Sequence, residues 1–149
     1  MSNFKTFSDN IVSLLTNLVD SDSNKVFTDV KTIPTIIFKG WPAATVVPSS
    51  SAGDYASIEQ NLRVYTFFVD IHYVIQQETN GGYQAAFDTM LPLVDQVLDA
   101  IDNSDDLGQT AAIVTPAPSS WGMVEGNPGT VLRARVNVQC KILTSQNNG

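Results

Sequence analysis

The single histidine, His72, stands two residues from Asp70. An Asp–His pair at that spacing shares one strand face and could serve a triad if a nucleophile were presented to it. The serine run Ser49–Ser51 lacks the Gly-x-Ser-x-Gly elbow that exposes such a nucleophile. The pair therefore reads as polar side chains on the wet or interface side of a sheet, not as catalytic machinery. One His and one Cys exclude the usual structural zinc ligand sets. Asp102, Ser104, Asp106 and Gly108 imitate a calcium loop, but Leu107 stands where its glycine belongs and Ile113 where its bidentate Glu belongs. Gly81-Gly82 has neither the Gly-Lys-Ser/Thr nor the Gly-x-Gly-x-x-Gly context of a phosphate cradle. Arg63, Arg133, Arg135 and Lys141 could form a basic stripe. Without interleaved aromatic RNA-binding motifs, the stripe reads as a solvated or subunit-facing sheet surface. Cys140 falls in an apolar register and reads as a small buried hydrophobe. No catalytic, cofactor-binding or metal-binding residue is expected from these patterns.

The elements around these residues are easier to read. Asn61 to Gln76 reads as one long strand, with Tyr65, Phe67, Val69, Ile71, Tyr73 and Ile75 on one face. Its other face is mixed: Val64, Thr66, Phe68, Asp70, His72 and Val74. Thr130 to Leu143 repeats the alternation, apolar at Leu132, Ala134, Val136, Val138, Cys140 and Ile142. Between them an amphipathic helix presents Tyr83, Ala86, Phe87, Met90, Leu91, Val94, Val97, Leu98 and Ile101 on one stripe. Asp88, Pro92, Asp95, Gln96 and Asp99 fall on the other, and a turn at Asn80-Gly81-Gly82 precedes the helix. Pro92 removes a backbone hydrogen bond and is expected to bend the axis. A first helix is expected over 4–19, with Thr6 and Asp9 as a capping box. Shorter strands are expected at 25–31, 33–38 and 43–47, and at 111–115, broken by Pro116-Ala-Pro118 and resuming at 121–125. The fold class expected is α+β: a mainly antiparallel sheet packed against two amphipathic helices in a single domain over 1–149. Residues 49–60 read as a flexible arm, and 145–149 as a polar tail.

A chain of 149 residues with 43% hydrophobic and 15% charged residues has the composition of a globular domain. Its net charge of −7 argues against nucleic-acid binding across the whole surface. No Lys or Arg occurs between Val64 and Leu132, and the acids there suit a solvated face or a channel wall that repels phosphate. No apolar run suits a signal peptide or a membrane span, and cysteine usage fits a reducing cytoplasm.

Three stretches carry a family resemblance: the turn and strand at Gly40–Val46, the Arg-x-Tyr-x-Phe strand at Arg63–Phe67, and the helix segment Val94–Asp102. With the order of elements, they make nearly the whole chain resemble the tail terminator (tail completion) proteins of long-tailed bacteriophages. The resemblance implies a structural virion protein with no active site or cofactor. It implies a six-membered ring that caps the tail tube and joins it to the head connector. Its partners would be copies of itself, the tail tube protein and a head-completion protein. DNA would pass through without specific binding, and no membrane would be involved. Assembly would take place in the host cytoplasm, with the product in the tail or neck of the virion. Candidate contacts with subunits or partners are Tyr55, Ile58, Arg63, Phe68, Trp121, Arg133 and Arg135. Asp88, Asp95 and Asp99 are candidates for an acidic lumen or solvent face. A head-closure or head–tail joining protein is the alternative within that class. A small ligand-binding or enzyme domain is the alternative outside it. An acidic helix and few arginines depart from the pattern.

Overall fold

A computed structural model describes residues 3–35, 37–48, 55–57, 62–75, 79–103, 113–125 and 129–143. The elements run α1 (Asn3–Thr16), β1 (Asp29–Lys31), β2 (Ala43–Pro48), β3 (Tyr55–Ser57), β4 (Leu62–Val74), α2 (Asn80–Asn103), β5 (Ile113–Glu125) and β6 (Thr130–Leu143). The six-stranded sheet has the order β1-β2-β4-β6-β5, with β3 also paired to β4. Only β1–β2 is parallel; the other pairings are antiparallel. The fold is α+β, mostly antiparallel, as the alternation of β4 and β6 implies.

Both helices cover one face of the sheet. Phe7, Ile11 and Leu15, four residues apart on α1, are fully buried, as are Met90, Val97 and Ile101 on α2. They meet Phe67, Val69 and Ile71 of β4 and Val136, Val138 and Cys140 of β6 in one core. Burying a side chain of this kind contributes roughly 1.5–3 kcal/mol before the entropy of ordering it. Cys140 has no exposure, and desolvation pushes its thiol up to about 12, so it is a packing residue.

Several elements depart from the expected bounds. The first helix stops at Thr16. The carbonyl of Thr16 accepts from Lys25 Nζ at 3.0 Å, and Asp20 Oδ1 collects the backbone N–H groups of Asp22 and Asn24, so the chain turns back early. Thr6 is not a cap but lies inside α1, and Asp9 pairs with Lys5 at 3.0 Å. Of 25–31 only 29–31 is a strand. Residues 33–35 and 37–38 form no strand, and Ile33 and Ile37 are exposed. Asn80-Gly81-Gly82 is the first turn of α2, not a separate turn; Thr79 caps it, its hydroxyl accepting from Gly82 N–H at 3.1 Å. Leu91 is half exposed, and Leu93 is buried instead. β5 runs through Pro116 and Pro118 with a bulge between Pro118 and Ser120. It is an edge strand, where a missing N–H costs no ladder bond. Within the expected arm, Tyr55–Ser57 forms β3, while 49–54 and 58–60 lie outside the described residues. The tail at 145–149 and the calcium-like stretch at 104–108 also lie outside them.

Gly40 lies close to Thr28: a Cβ there would come 2.6 Å from Thr28 Cγ2, so a larger residue would make that side chain shift. Pro92 is exposed within α2 and costs the helix its bond to the Asp88 carbonyl. Pro92→Ala is expected to raise unfolding stability by about 1–3 kcal/mol, read as a higher urea midpoint. A lower midpoint would show that the core is fitted to the proline.

Candidate functional site: the sheet face opposite the helices

Side chains that do not enter the core project from the other face of the sheet. The register places Thr45 beside Asp70, Asp70 beside Arg135, and Arg135 beside Ser120. The adjacent row is Ala43, His72, Arg133 and Gly122. A cover crosses part of this face. Parallel strands cannot be joined by a hairpin, so the chain from β1 must cross the sheet to enter β2. It does so on the helix-free side: the Phe38 ring lies 4.9 Å from the His72 ring and 5.5 Å from Trp41. Pro34 and Thr35 complete a concavity of about 420 Å³ with Val47, Phe68, Asp70 and His72. The two arginines and Val124 form its far wall.

Asp70 and Arg135 form a two-pronged pair, Nε to Oδ1 at 2.8 Å and a terminal nitrogen to Oδ2 at 2.9 Å. The guanidinium also lies 4.2 Å above the Phe68 ring. The Asp70 contact holds the Arg135 guanidinium above its ordinary pKa, against the opposing effect of burial. His72 is 3% exposed. Its Nε2 lies 3.3 Å from Thr45 Oγ1, and its Nδ1 has no hydrogen-bond partner. Burial lowers its pKa from 6.5 to about 4; nearby Asp70 opposes that shift, and Arg133 and Arg135 add to it. The imidazole is thus neutral at neutral pH. Arg133 Nε is also buried without a partner.

This arrangement changes the reading of the Asp–His pair. Both side chains are buried, His72 beneath Phe38 of the crossover and Asp70 against Arg135. Nor do they form a catalytic dyad. Both Asp70 oxygens are taken by Arg135, and no carboxylate orients His72 Nδ1. No cluster of three metal-ligating side chains occurs among the described residues.

The expected contact residues do not form one site. Arg133, Arg135 and Phe68 share the pocket, and Phe68 is held beneath Arg135. Val74, on the same mixed strand face as Phe68, is buried. Trp121 stands on the opposite face, at the sheet edge, its ring 5.5 Å from Phe87 of α2. Asp88, Asp95 and Asp99 are exposed on α2. The backbones of Tyr55 and Arg63 pair between β3 and β4, while their side chains, like all of Ile58, lie outside the described residues. Sequence reasoning missed Phe38, Thr45 and the crossover; the only local signal was the aromatic pair flanking Lys39-Gly40. No family model and no curated protein matches this chain. No helix among the described residues is long and apolar enough to cross a membrane.

Two outcomes are expected here. Arg135→Met leaves the Asp70 carboxylate buried without its cation and is expected to cost about 2–3 kcal/mol. Adding Asp70→Asn should restore most of that in a double-mutant cycle; failure to do so would mean that the pair contributes nothing as a unit. The folded His72 takes a proton only near pH 4, whereas an unfolded one takes it near 6.5. Its contribution therefore falls as pH drops between those values, by about 2 kcal/mol from about pH 7 to about pH 5. His72→Gln should flatten that part of the stability profile; an unchanged profile would show that the ring is not desolvated.

Proposed function

We propose that this protein is a structural virion subunit of the tail terminator kind. It would act by closing a ring with copies of itself at the end of a phage tail tube, beneath the head connector. The motifs at Gly40–Val46, Arg63–Phe67 and Val94–Asp102 suggest the family. The observation that carries self-association is an apolar seam along the outer edge of the sheet. Trp121 and Met123, on one face of β5, are 39% and 51% exposed, and Leu91 of α2 is 50% exposed. Phe87, one helical turn before Leu91, links the two elements through its contact with Trp121. Clustered exposed apolar side chains of this kind usually meet a partner. Pro116 and Pro118 deny the first half of β5 to further strand pairing, whereas 120–125 contains no proline. A contact between this edge and a different patch on the next copy is heterologous, the geometry that closes into rings. The acidic outer face of α2 suits a lumen or an outer wall that DNA does not adhere to. Assembly of this kind needs no chemistry and no cofactor.

A second reading, a small ligand-binding domain, is favoured by the concavity around His72 and Arg133. Light scattering as a function of concentration separates the two. On the ring reading the mass rises toward a defined oligomer, and Trp121→Asp abolishes the rise while shifting the melting temperature by only a few degrees. Wild-type association that is indifferent to Trp121→Asp would rule out the seam. A chain that stays monomeric throughout would favour the second reading.

A further inference from the structure

The pocket on the open sheet face holds an unusual set of charges for a chain of net charge −7. Arg135 is neutralised by Asp70, whereas Arg133 makes no ion pair or hydrogen bond among the described residues, and its Nε is buried. His72 offers a buried, unpartnered Nδ1 on the same wall. Buried polar atoms without partners are rare, and here they mark a wall whose charge is not balanced from within the described residues. The rest of the lining is the apolar Pro34, Val47, Phe68 and Val124 with the hydroxyl residues Thr35 and Thr45. A volume of about 420 Å³ is that of a small-molecule site.

We propose that this pocket binds a small organic carboxylate with an apolar body. The carboxylate takes the accessible part of the Arg133 guanidinium, and the body lies against Phe68 and Val47, beside the His72 ring. Charge balance favours a monoanion. The two arginines and Asp70 leave a single positive charge, and a phosphoryl dianion would carry one charge too many beside the Asp70 carboxylate. The imidazole is neutral at neutral pH, so it adds polarity without adding charge. This site deepens the second reading above and does not depend on ring closure, since it lies on the face away from Trp121.

The test is a titration of the full chain followed by amide and side-chain NMR, with benzoate, benzyl alcohol and phenyl phosphate as probes. Benzoate should saturate with a Kd on the order of 1 mM, moving the Arg133 and His72 signals. Benzyl alcohol and phenyl phosphate should each bind at least tenfold more weakly. Arg133→Gln should weaken benzoate at least tenfold. The comparison of probes on the wild-type chain stands even if that variant folds poorly. Failure of benzoate to saturate, or equal binding of the alcohol, overturns the proposal. So does a pocket that ignores benzoate while Arg133→Gln abolishes self-association, because the occupant is then an acidic side chain of another copy. Light scattering on the same samples reports ring formation separately.

Discussion

The antiparallel register between β4 and β6 is the constraint on which everything else depends. Side chains on a strand alternate, so one choice of register decides both faces of the sheet. With Phe67 opposite Val138, Val69 opposite Val136 and Ile71 opposite Ala134, an unbroken apolar surface meets the helices. The same pairing sets Asp70 opposite Arg135 and His72 opposite Arg133 on the other side. Moving β6 by one residue would turn Arg133 and Arg135 toward the helices, and moving β4 would turn Asp70 and His72 there. Core and pocket are two consequences of one alignment, and the Asp70–Arg135 pair helps hold it by penalising the slipped form.

The parallel β1–β2 pair adds a second constraint. It forces the chain across the sheet, and the helices already occupy one face. Crossing on the other side puts Phe38 over His72 and turns a flat sheet face into a concavity. The low pKa of His72 and the unpartnered atoms around it follow from that cover more than from the strand that carries them.

This division explains what could be read from the sequence. β4, β6 and α2 are long and strongly periodic, and their apolar faces form the core as the letters imply, although Asp70, His72 and Val74 on the other face of β4 are buried too. β5 was obscured by Pro116 and Pro118, because the cost of a proline depends on whether its strand lies at an edge, which only the topology decides. Leu91 and Leu93 exchanged places because a small rotation of the helix about its axis moves residues at the rim of the stripe in or out. The Asp–His pair was visible, but its burial was not: the residues that cover His72 come from a distant segment with no periodicity. Arg133 and Arg135 were visible as part of a basic stripe with Arg63 and Lys141, yet the different fates of the two depend on one carboxylate on the neighbouring strand.

Two surfaces of different character result, on opposite sides of the sheet. The β5–α2 seam is apolar and exposed, the surface proposed to meet a second copy of the chain; the concavity, which holds an Arg133 unpaired among the described residues, is the site proposed for a small carboxylate. A scaffold subunit with a ligand site is physically consistent, because filling one surface leaves the other untouched. The most direct test of the proposed structural role is electron microscopy of the protein mixed with phage tail tubes. Rings of density seated on one end of the tubes, absent with Trp121→Asp, are expected. Bare tube ends beside a dispersed, unassembled protein would contradict it.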